Sequence, residues 1–311
     1  MNIDNSSYKV SVIVPTYKRS QFLERAIESI LNQSHTNIEV IVVDDNDPSS
    51  DSRKATEEKM QKYEANKKIV YIKNYKNMGG ALARNEGVFK ATGDFITFLD
   101  DDDIYLSDKI QLQLEFMIKD NYDLTFTDVR FHNTKGKLID YREHKYIKHL
   151  SNVELLKQHI MHHLTPTATY MFKRQSILNI GGFDDVQVGQ EFMLMLKAIE
   201  NNIKIGYLPV ARVIQYIHGG ERISVGQIKL DKEVELFQFK QKYFPKLSSK
   251  QKRYVKFRHH AVMAVVGKRS GNNRIALSNL FLAICTSPSY SMKELSAHVV
   301  KLIKNRRLER Y

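Results

Sequence analysis

Cysteine is almost absent from this chain of 311 residues, since Cys285 is the only one. A disulfide framework and a metal site built from several cysteines are therefore both excluded. Long apolar runs are missing as well, because none reaches the roughly 18 residues that a membrane-spanning helix needs. The N-terminus is polar and carries no apolar signal region. We therefore expect a cytoplasmic protein, either free or associated peripherally with the inner face of a membrane.

The glycine-rich signatures of nucleotide-binding loops are also missing. The sequence contains neither Gly-x-Gly-x-x-Gly nor a phosphate-binding loop that ends in Gly-Lys-Ser/Thr. A calcium-binding EF-hand is excluded too, because neither acidic cluster is followed by glycine and glutamate at the positions that the calcium loop requires. The two common glycine-based routes to nucleotide binding therefore do not apply to this chain.

The positive charge is concentrated in one part of the chain. Residues 225–311 contain 19 Lys and Arg against five Asp and Glu, whereas the first 224 residues contain 29 against 30. The net charge of +13 is therefore carried by the C-terminal region alone. Such a region indicates contact with nucleic acid, contact with an anionic membrane surface, or simply a solvated face.

The first 120 residues alternate between apolar segments of strand length and segments with helical spacing. The strand-like segments lie at 10–15, 38–43, 69–73 and 95–99. Because they are continuously apolar, they predict a parallel sheet that is covered by helices on both faces. Ligands of such sheets bind beyond the carboxyl ends of the strands. Three polar clusters, at 15–17, 44–45 and 100–103, are therefore expected to converge at one edge.

The last of these clusters consists of four consecutive aspartates, Asp100, Asp101, Asp102 and Asp103. Adjacent carboxylates repel one another and raise each other's pKa values. They are tolerable when solvated, and favourable when Mg²⁺ or Mn²⁺ lies among them together with substrate phosphates. The run therefore indicates either a divalent metal site or a solvated turn before the next helix.

The pattern changes after residue 120, where strands and helices no longer alternate regularly. The expected strands are 124–131, 168–172, 204–208 and 212–217, with a hairpin turn at 135–137. Helices are expected at 151–162 and 190–201. From about residue 227 onward only amphipathic helices are expected, so this region forms a helical appendage.

Five segments of the chain resemble, in the same order, the motifs of glycosyltransferase family 2. They are VIVPTYKR at 12–19, VVDDN at 42–46, NMGGALARNEG at 77–87, FLDDDD at 98–103 and IGGFDD at 180–185. The resemblance covers about residues 10–220. It implies an α/β fold of the GT-A type, in which a Rossmann-like, mostly parallel sheet is flanked by helices. It also implies an inverting transfer of a sugar from a nucleotide donor, usually with a divalent metal.

On this interpretation the catalytic domain comprises residues 1–224. Its nucleotide-binding half is about 8–120 and its acceptor half about 121–224, and the basic helical region is 225–311. The resemblance implies a nucleotide-binding set that consists of Thr16, Tyr17, Asp44, Arg84, Asp100 and Asp101. Asp44 has the chemistry to accept a hydrogen bond from a base N–H, or it forms the turn before Pro48. Tyr17 is expected to stack on the base, and the two aspartates to face the ribose.

The resemblance also implies the metal ligand and the catalytic base. Asp102 falls at the second aspartate of the family's Asp-x-Asp motif, and His218 falls where members often have a histidine near the metal. Mn²⁺ or Mg²⁺ is the expected cofactor. Glu191 falls on the position of the catalytic base, which is usually the aspartate of a Glu-Asp pair, while Gln190 replaces the glutamate.

Asp184 and Asp185 resemble the loop that faces the acceptor, and they are the alternative bases. Arg222 and Ser224 are expected to meet phosphate near His218. The predicted function is a metal-dependent, inverting hexosyltransferase that uses a nucleotide-sugar donor, with a UDP-sugar favoured. The acceptor would be a saccharide or a polyprenol-linked saccharide in the synthesis of cell-wall, capsule or other surface polysaccharide.

Two other functions remain open from the residues alone. A catalytically weak scaffold that binds a partner or membrane through its tail is favoured only by the Gln190–Glu191 departure. Binding of nucleic acid is disfavoured, because the aromatic residues of the tail recur at helical spacings and suit an apolar helix face better. The apolar stripes of the tail also suit a homo-oligomer; they comprise Val234, Phe237, Phe239, Tyr243, Val299, Leu302 and Ile303.

Overall fold

The computed structural model describes residues 5–186, 189–218, 227–294 and 296. The chain divides into two compact units. The first comprises residues 1–156 and 164–218, and the second comprises 157–163 and 219–311. The expected domain boundary at residue 224 lies in the segment 219–226, outside the described residues, and stays a prediction. Arg222, Ser224, Val299, Leu302 and Ile303 also lie outside the described residues.

The first half of the α/β unit follows the pattern read from the sequence. Its strands are β1 (Val10–Thr16), β2 (Ile38–Asp44), β3 (Ile69–Lys73) and β4 (Phe95–Phe98), and its helices are α1 (Ser20–Leu31), α2 (Asp51–Gln61) and α3 (Gly80–Lys90). Strand β1 pairs in parallel with β2 and β4, and β2 pairs in parallel with β3. Every residue of β1 and β2 is buried, as their largely apolar sequences predict for strands covered on both faces, and Ser11 and Glu39 are buried with the rest.

The second half of the unit extends the same sheet with antiparallel pairings. Its elements are β5 (Ile104–Tyr105), α4 (Lys109–Lys119), β6 (Leu124–Asn133), β7 (Leu138–Arg142), α5 (Asn152–His162), β8 (Met171–Lys173), α6 (Arg174–Asn179), α7 (Gln190–Glu200) and β9 (Ile205–Ile217). Of α5, only the residues before Lys157 belong to this unit. The order of strands is β3-β2-β1-β4-β8-β6-β9-β5, with β7 paired to β6. The sheet is parallel among β1 to β4 and mixed in the other half, where β8 runs antiparallel to both β4 and β6.

Two strand predictions differ from the structure. The strand expected at 168–172 is instead a 3-10 turn, Thr167–Thr169, followed by the short β8. The strands expected at 204–208 and 212–217 form one strand, β9, whose register against β6 shifts: Thr127 opposes Leu208, but Asp128 opposes Ala211. Pro209 lies in this irregularity, where its missing N–H costs no ladder hydrogen bond. Such bulges re-aim the strand that follows.

Helix α1 packs on the core through one face and begins at a residue that contacts the aspartate run. Its apolar spacing buries Leu23, Ala26, Ile27 and Ile30 against the core. The N-cap of this helix is Arg19, which makes no side-chain capping hydrogen bond. The guanidinium of Arg19 is instead bound to the aspartate run, so the start of the helix is adapted to the site rather than to capping.

The second unit is helical in its described part. It contains α8 (Gln227–Gln241), α9 (Ser249–Arg269) and α10 (Asn273–Thr286). Ser248 and Gln251 form a reciprocal capping box at the start of α9. Helices α9 and α10 approach closely, since a Cβ atom on Gly267 would lie 2.9 Å from the backbone nitrogen of Ala276. None of the described helices is both long enough and apolar enough to cross a membrane.

Candidate active site

The four consecutive aspartates after β4 are divided by burial. Asp101 and Asp103 are buried, whereas Asp100 and Asp102 remain partly open to solvent. The backbone makes a turn here, in which the N–H of Asp103 donates to the carbonyl of Asp100 at 3.0 Å. Alternate side chains therefore point into the protein and out of it. The aspartate run is therefore neither wholly solvated nor wholly buried.

Asp101 belongs to the inward pair. One carboxylate oxygen accepts from the Thr16 hydroxyl at 2.8 Å, and the other lies 2.8 Å from a guanidinium nitrogen of Arg19. Burial raises the pKa of Asp101 to about 7, against the opposing attraction of Arg19. Thr16 and Asp101 were both expected to contact the nucleotide. In this geometry they are buried and bonded to each other, which supports the loop. Their contact with the nucleotide stays a prediction.

Asp103 is the second inward carboxylate, and it fastens the loop to β9. It accepts from the Gln215 side-chain amide at 2.8 Å and from the Tyr216 backbone N–H at 3.0 Å. Burial raises its pKa well above the usual value, as do the carboxylates of its neighbours in the run. The re-aimed second part of β9 thus ends beside the acidic loop, and His218 follows directly after that strand.

Asp102 is the carboxylate that His218 meets. The imidazole Nε2 lies 3.8 Å from one Asp102 oxygen, and the same oxygen accepts from Arg19 at 2.6 Å. The Arg25 guanidinium donates to the Asp102 backbone carbonyl at 2.7 Å. Burial raises the pKa of Asp102, while Arg19 opposes that rise. A carboxylate, an imidazole and two guanidinium groups are therefore gathered at one point.

This pair can be tested as a metal site. A carboxylate suits Mg²⁺ or Mn²⁺, and these ions are commonly held by one or two carboxylates together with substrate phosphates and water. Asp102 and His218 fit that partial ligand set. No three His, Cys, Asp or Glu side chains of the described chain gather into a complete metal site. The expected metal role of Asp102 and His218 stays a prediction that requires ligands from the donor.

Arg84 links the acidic loop to the start of α7. Its guanidinium donates to the Gly80 carbonyl at 3.1 Å, to the Gln190 side-chain oxygen at 3.0 Å and to Asp100. Its Nε is buried, with no hydrogen-bond partner in the described part of the chain. A buried guanidinium nitrogen with unused donor capacity suits an anionic oxygen of a ligand. Arg84 thus combines the position and the chemistry for contact with a nucleotide.

One residue of the polar cluster at 44–45 stabilises the helix that carries Arg84. Asp45, the second aspartate after β2, accepts from the backbone N–H groups of Met78 and Gly79 at 2.9 and 2.8 Å. These groups precede α3, so the carboxylate stabilises the start of the helix that carries Arg84. The sequence assigned no role of its own to Asp45, because this residue lies between Asp44, which was expected to contact the base, and the turn before Pro48.

Asp44 is fully buried and already has several donors. One of its oxygens accepts from the Tyr71 hydroxyl at 2.6 Å and lies 3.2 Å from Arg53 Nε. The other accepts from the backbone and side chain of Asn46 at 3.0 and 2.7 Å. The expected contact with a nucleotide base stays a prediction, and it would require exchange of one of these partners. Tyr17, the expected stacking residue, is half-buried directly after β1.

The loop at 181–185, which carries the residues expected to face the acceptor, is clamped to α3. The Asn85 side chain donates to the Phe183 carbonyl and accepts from the Phe183 N–H, each at 2.8 Å. Gly182 has a φ of +61°, and a Cβ atom there would meet the Asn85 side chain at 2.4 Å. In that loop Asp184 is ion-paired with Lys197, whereas Asp185 is exposed.

Glu191, the expected base, lies in the first turn of α7. The helix begins after Gly189, whose φ of +81° is left-handed and favours glycine. Glu191 is half-buried, and its charge adds to the burial that raises the pKa of Tyr170. The side chain of Gln190, directly before it, is taken by Arg84. The base role of Glu191 stays a prediction, with Asp185 the more accessible alternative and Asp184 the paired one.

Comparison with known proteins gives a family match. The family model described as Glycosyl transferase family 2 matches residues 11–178. A Campylobacter jejuni protein named GalNAc(5)-diNAcBac-PP-undecaprenol beta-1,3-glucosyltransferase is 48% identical over 99 residues, which are 32% of this chain and 31% of that protein. In five other curated relatives the matched region spans only 18–50% of their length.

Two solved structures are similar in fold. Staphylococcus aureus TarS 1–349 in complex with UDP-GlcNAc has a TM-score of 0.58 and 19% identity, covering 92% of each chain. The mannosyltransferase PcManGT from Pyrobaculum calidifontis, in complex with GDP-Man and Mn²⁺, has a TM-score of 0.60 and 15% identity, covering 95% of this chain and 81% of that one. These likenesses confirm the expected α/β fold of the GT-A type with C-terminal helices.

Proposed function

Because the chain belongs to glycosyltransferase family 2, we propose that it is an enzyme that transfers a sugar from a nucleotide diphosphate donor to a hydroxyl acceptor with inversion. The observation that carries this proposal is the convergence of Asp102, His218, Arg19 and Arg84 around one strand end. A site of this kind combines a carboxylate–imidazole pair with two cations. It suits a ligand that carries a diphosphate.

In this mechanism Asp102 and His218 would hold Mn²⁺ or Mg²⁺, and the ion would supply positive charge to the departing diphosphate. Arg84 binds the donor through its buried Nε and is oriented by Asp100 and Gln190. Arg19 is held on Asp101 and Asp102 until the donor arrives. The presence of PcManGT with Mn²⁺ among the similar folds supports this cofactor assignment.

Inversion requires a base on the acceptor side of the sugar. We assign this role to Glu191, which takes the proton of the acceptor hydroxyl as that oxygen attacks the anomeric carbon. Asp184 is less suited because its carboxylate is paired with Lys197. Gln190 keeps the adjacent position uncharged, so Arg84 has Asp100 as its carboxylate partner and retains attraction for phosphate.

For the substrates, we favour a UDP-sugar donor and a saccharide or polyprenol-linked acceptor in surface polysaccharide synthesis. The TarS complex with UDP-GlcNAc supports the donor class. The name of the Campylobacter relative supports a polyprenol diphosphate acceptor. A lipid-linked acceptor would require peripheral association with the inner face of the membrane. A homo-oligomer formed through the C-terminal helices stays open beside it.

The test is donor hydrolysis and transfer by the full chain with a panel of UDP-, GDP- and TDP-sugars, with Mn²⁺ and with EDTA. We expect metal-dependent release of a nucleoside diphosphate, fastest with one UDP-sugar. The anomeric configuration of the product, read by NMR, should be inverted. Full turnover in EDTA would refute the metal role. The absence of hydrolysis with every donor would favour the scaffold function instead.

A further inference from the structure

Helix α10 presents large apolar side chains to solvent. Leu277 is 67% exposed, Phe281 66%, Leu280 51% and Ile284 46%. Leu277, Phe281 and Ile284 are spaced by four and three residues, so they lie on one face of the helix. Single exposed apolar residues are ordinary, but a contiguous exposed group on one helix marks an interaction surface. We call this group the α10 face.

The packing of α10 on α9 keeps the α10 face exposed to solvent. The opposite side of α10 carries Ala276, Asn279 and Ala283, and Ala283 is 4% exposed. The close approach at Gly267 leaves no room for a Cβ atom, and the Asn279 side chain contacts the His260 ring at 3.0 Å. Rotation of α10 to bury its leucines would break these contacts. The exposure of the α10 face is therefore set by the packing of the two helices.

The hairpin that carries this face has charges of one sign only. Residues 249–286 contain eight Lys and Arg and no Asp or Glu. Lys252, Arg253 and Lys256 line a groove with Thr286, at the end of α10. At the other end, exposed Lys268, Arg269 and Arg274 surround the turn between the helices. The exposed cations are Lys250, Arg253, Lys256, Lys268, Arg269 and Arg274.

We propose that the α10 face and these flanking cations form a docking surface for an anionic lipid bilayer. Amphipathic helices with leucine and phenylalanine on one side and lysine and arginine around them bind at the headgroup boundary of membranes. A bilayer with anionic lipids offers an apolar interior to the α10 face and negatively charged headgroups to the flanking cations. This inference deepens the peripheral association proposed above and rests on it.

A second copy of the chain fits the surface less well. In a two-fold symmetric dimer the same patch faces itself. The cations at the ends of one hairpin would then lie near those of the other, with no acidic residue on either hairpin to offset them. Like charges across an interface suppress association. The charge of the hairpin therefore favours lipid over self-association.

The experiment measures binding of the full chain to vesicles of phosphatidylcholine alone and of phosphatidylcholine with phosphatidylglycerol. Wild-type protein should bind the anionic vesicles and release from them as salt is raised. The double variant Leu277→Asp/Phe281→Asp should bind at least about tenfold more weakly, because it removes apolar insertion and adds negative charge. Neutralising Lys252, Arg253 and Lys256 to Gln should weaken the preference for anionic lipid, because the cations at the other end of the hairpin remain.

The matched control is Phe89→Asp. Phe89 lies on α3 of the other unit and is 68% exposed, so it undergoes the same chemical change at the same exposure as Phe281. We expect its vesicle binding to equal that of the wild type. Circular dichroism melts establish that every variant is folded. Donor hydrolysis without vesicles is measured in parallel, so failure of docking and failure of the transferase proposal are separate results.

Three outcomes would overturn the proposal. The first is equal vesicle binding by wild type and the Leu277→Asp/Phe281→Asp variant. The second is equal binding of the wild type to neutral and anionic vesicles. The third is a halved mass of that variant in light scattering with vesicle binding unchanged, which would make the α10 face a subunit interface.

Discussion

The acidic strand end and the α9–α10 hairpin differ in whether their cations have carboxylate partners. At the strand end each named cation has a carboxylate: Arg19 contacts Asp101 and Asp102, and Arg84 contacts Asp100. The hairpin contains eight cations and no carboxylate. Paired charges at fixed distances recognise a ligand of one shape, whereas charges of one sign attract any anionic surface and are screened by salt. The two regions are therefore suited to chemistry and to adhesion, respectively.

The largest effect that would separate these regions is expected from Asp102→Ala. Transfer should fall by about 10³-fold or more, since the substitution removes the carboxylate that would hold the metal at the developing charge. Binding to anionic vesicles should not change, because the hairpin is untouched. Transfer rates and vesicle sedimentation of the same preparation check both statements. An Asp102→Ala protein with more than a tenth of the normal rate would contradict the assignment.

Glu191→Gln tests the acceptor side alone. The variant keeps the size of the side chain but cannot take up the proton, so kcat should fall by about 10²–10⁴-fold. Binding of UDP in Mn²⁺, measured by calorimetry, should stay within about twofold, because the base does not contact the donor. Asp185→Asn is the matched comparison. If Asp185→Asn loses kcat and Glu191→Gln keeps it, the base is Asp185.

Arg53→Met probes charge pairing as a source of stability. It leaves the buried Asp44 carboxylate without its cation, which typically costs about 3–5 kcal/mol in the free energy of unfolding. Lys54→Met is the matched control, since Lys54 is adjacent but exposed and its pair with Asp51 is a surface one. Urea unfolding measures both. Equal midpoints for the two variants would show that the Asp44 network contributes little.

The smallest expected effect is a change in stability against unfolding with pH. His144 is fully buried, and burial together with Arg142 lowers its pKa from 6.5 to about 4. The folded chain keeps this imidazole neutral, while the unfolded chain binds a proton below pH 6.5, so stability falls as the pH drops toward 4. Between pH 6.5 and 5 the free energy of unfolding falls by about 2 kcal/mol. His144→Gln should lessen this acid sensitivity in urea unfolding, and His149→Gln, at an exposed position, should not.

The sequence predicted the parallel half of the sheet well, for a physical reason. Strands such as β1 and β2 are buried on both faces, so their composition is almost continuously apolar, apart from Ser11 and Glu39, and easy to recognise. Strand β9 was divided in two because Pro209 interrupts its pattern. In the structure a register shift accommodates the proline, and the pairing partner that decides this lies some 80 residues earlier on β6.

The candidate site was predictable in its residue types but not in its division of roles. The motifs identified the family, and the family match confirms that identification. Four identical aspartates carry no pattern from which burial could be read, so the inward turn of Asp101 was not foreseen. Arg53 and Tyr71 were missed as well, because each lies in an otherwise ordinary element and meets Asp44 only through the fold.

The position of Arg84 and Asn85 side by side on α3 has a further consequence. Arg84 contacts Gln190, the neighbour of Glu191, and Asn85 clamps the loop that carries Asp184 and Asp185. On the proposed function, a donor that drew Arg84 toward its phosphates would also shift the residues expected to face the acceptor. We expect the two substrates to be thermodynamically coupled. By reciprocity, an acceptor analogue should tighten donor binding by the same factor by which the donor tightens binding of the analogue.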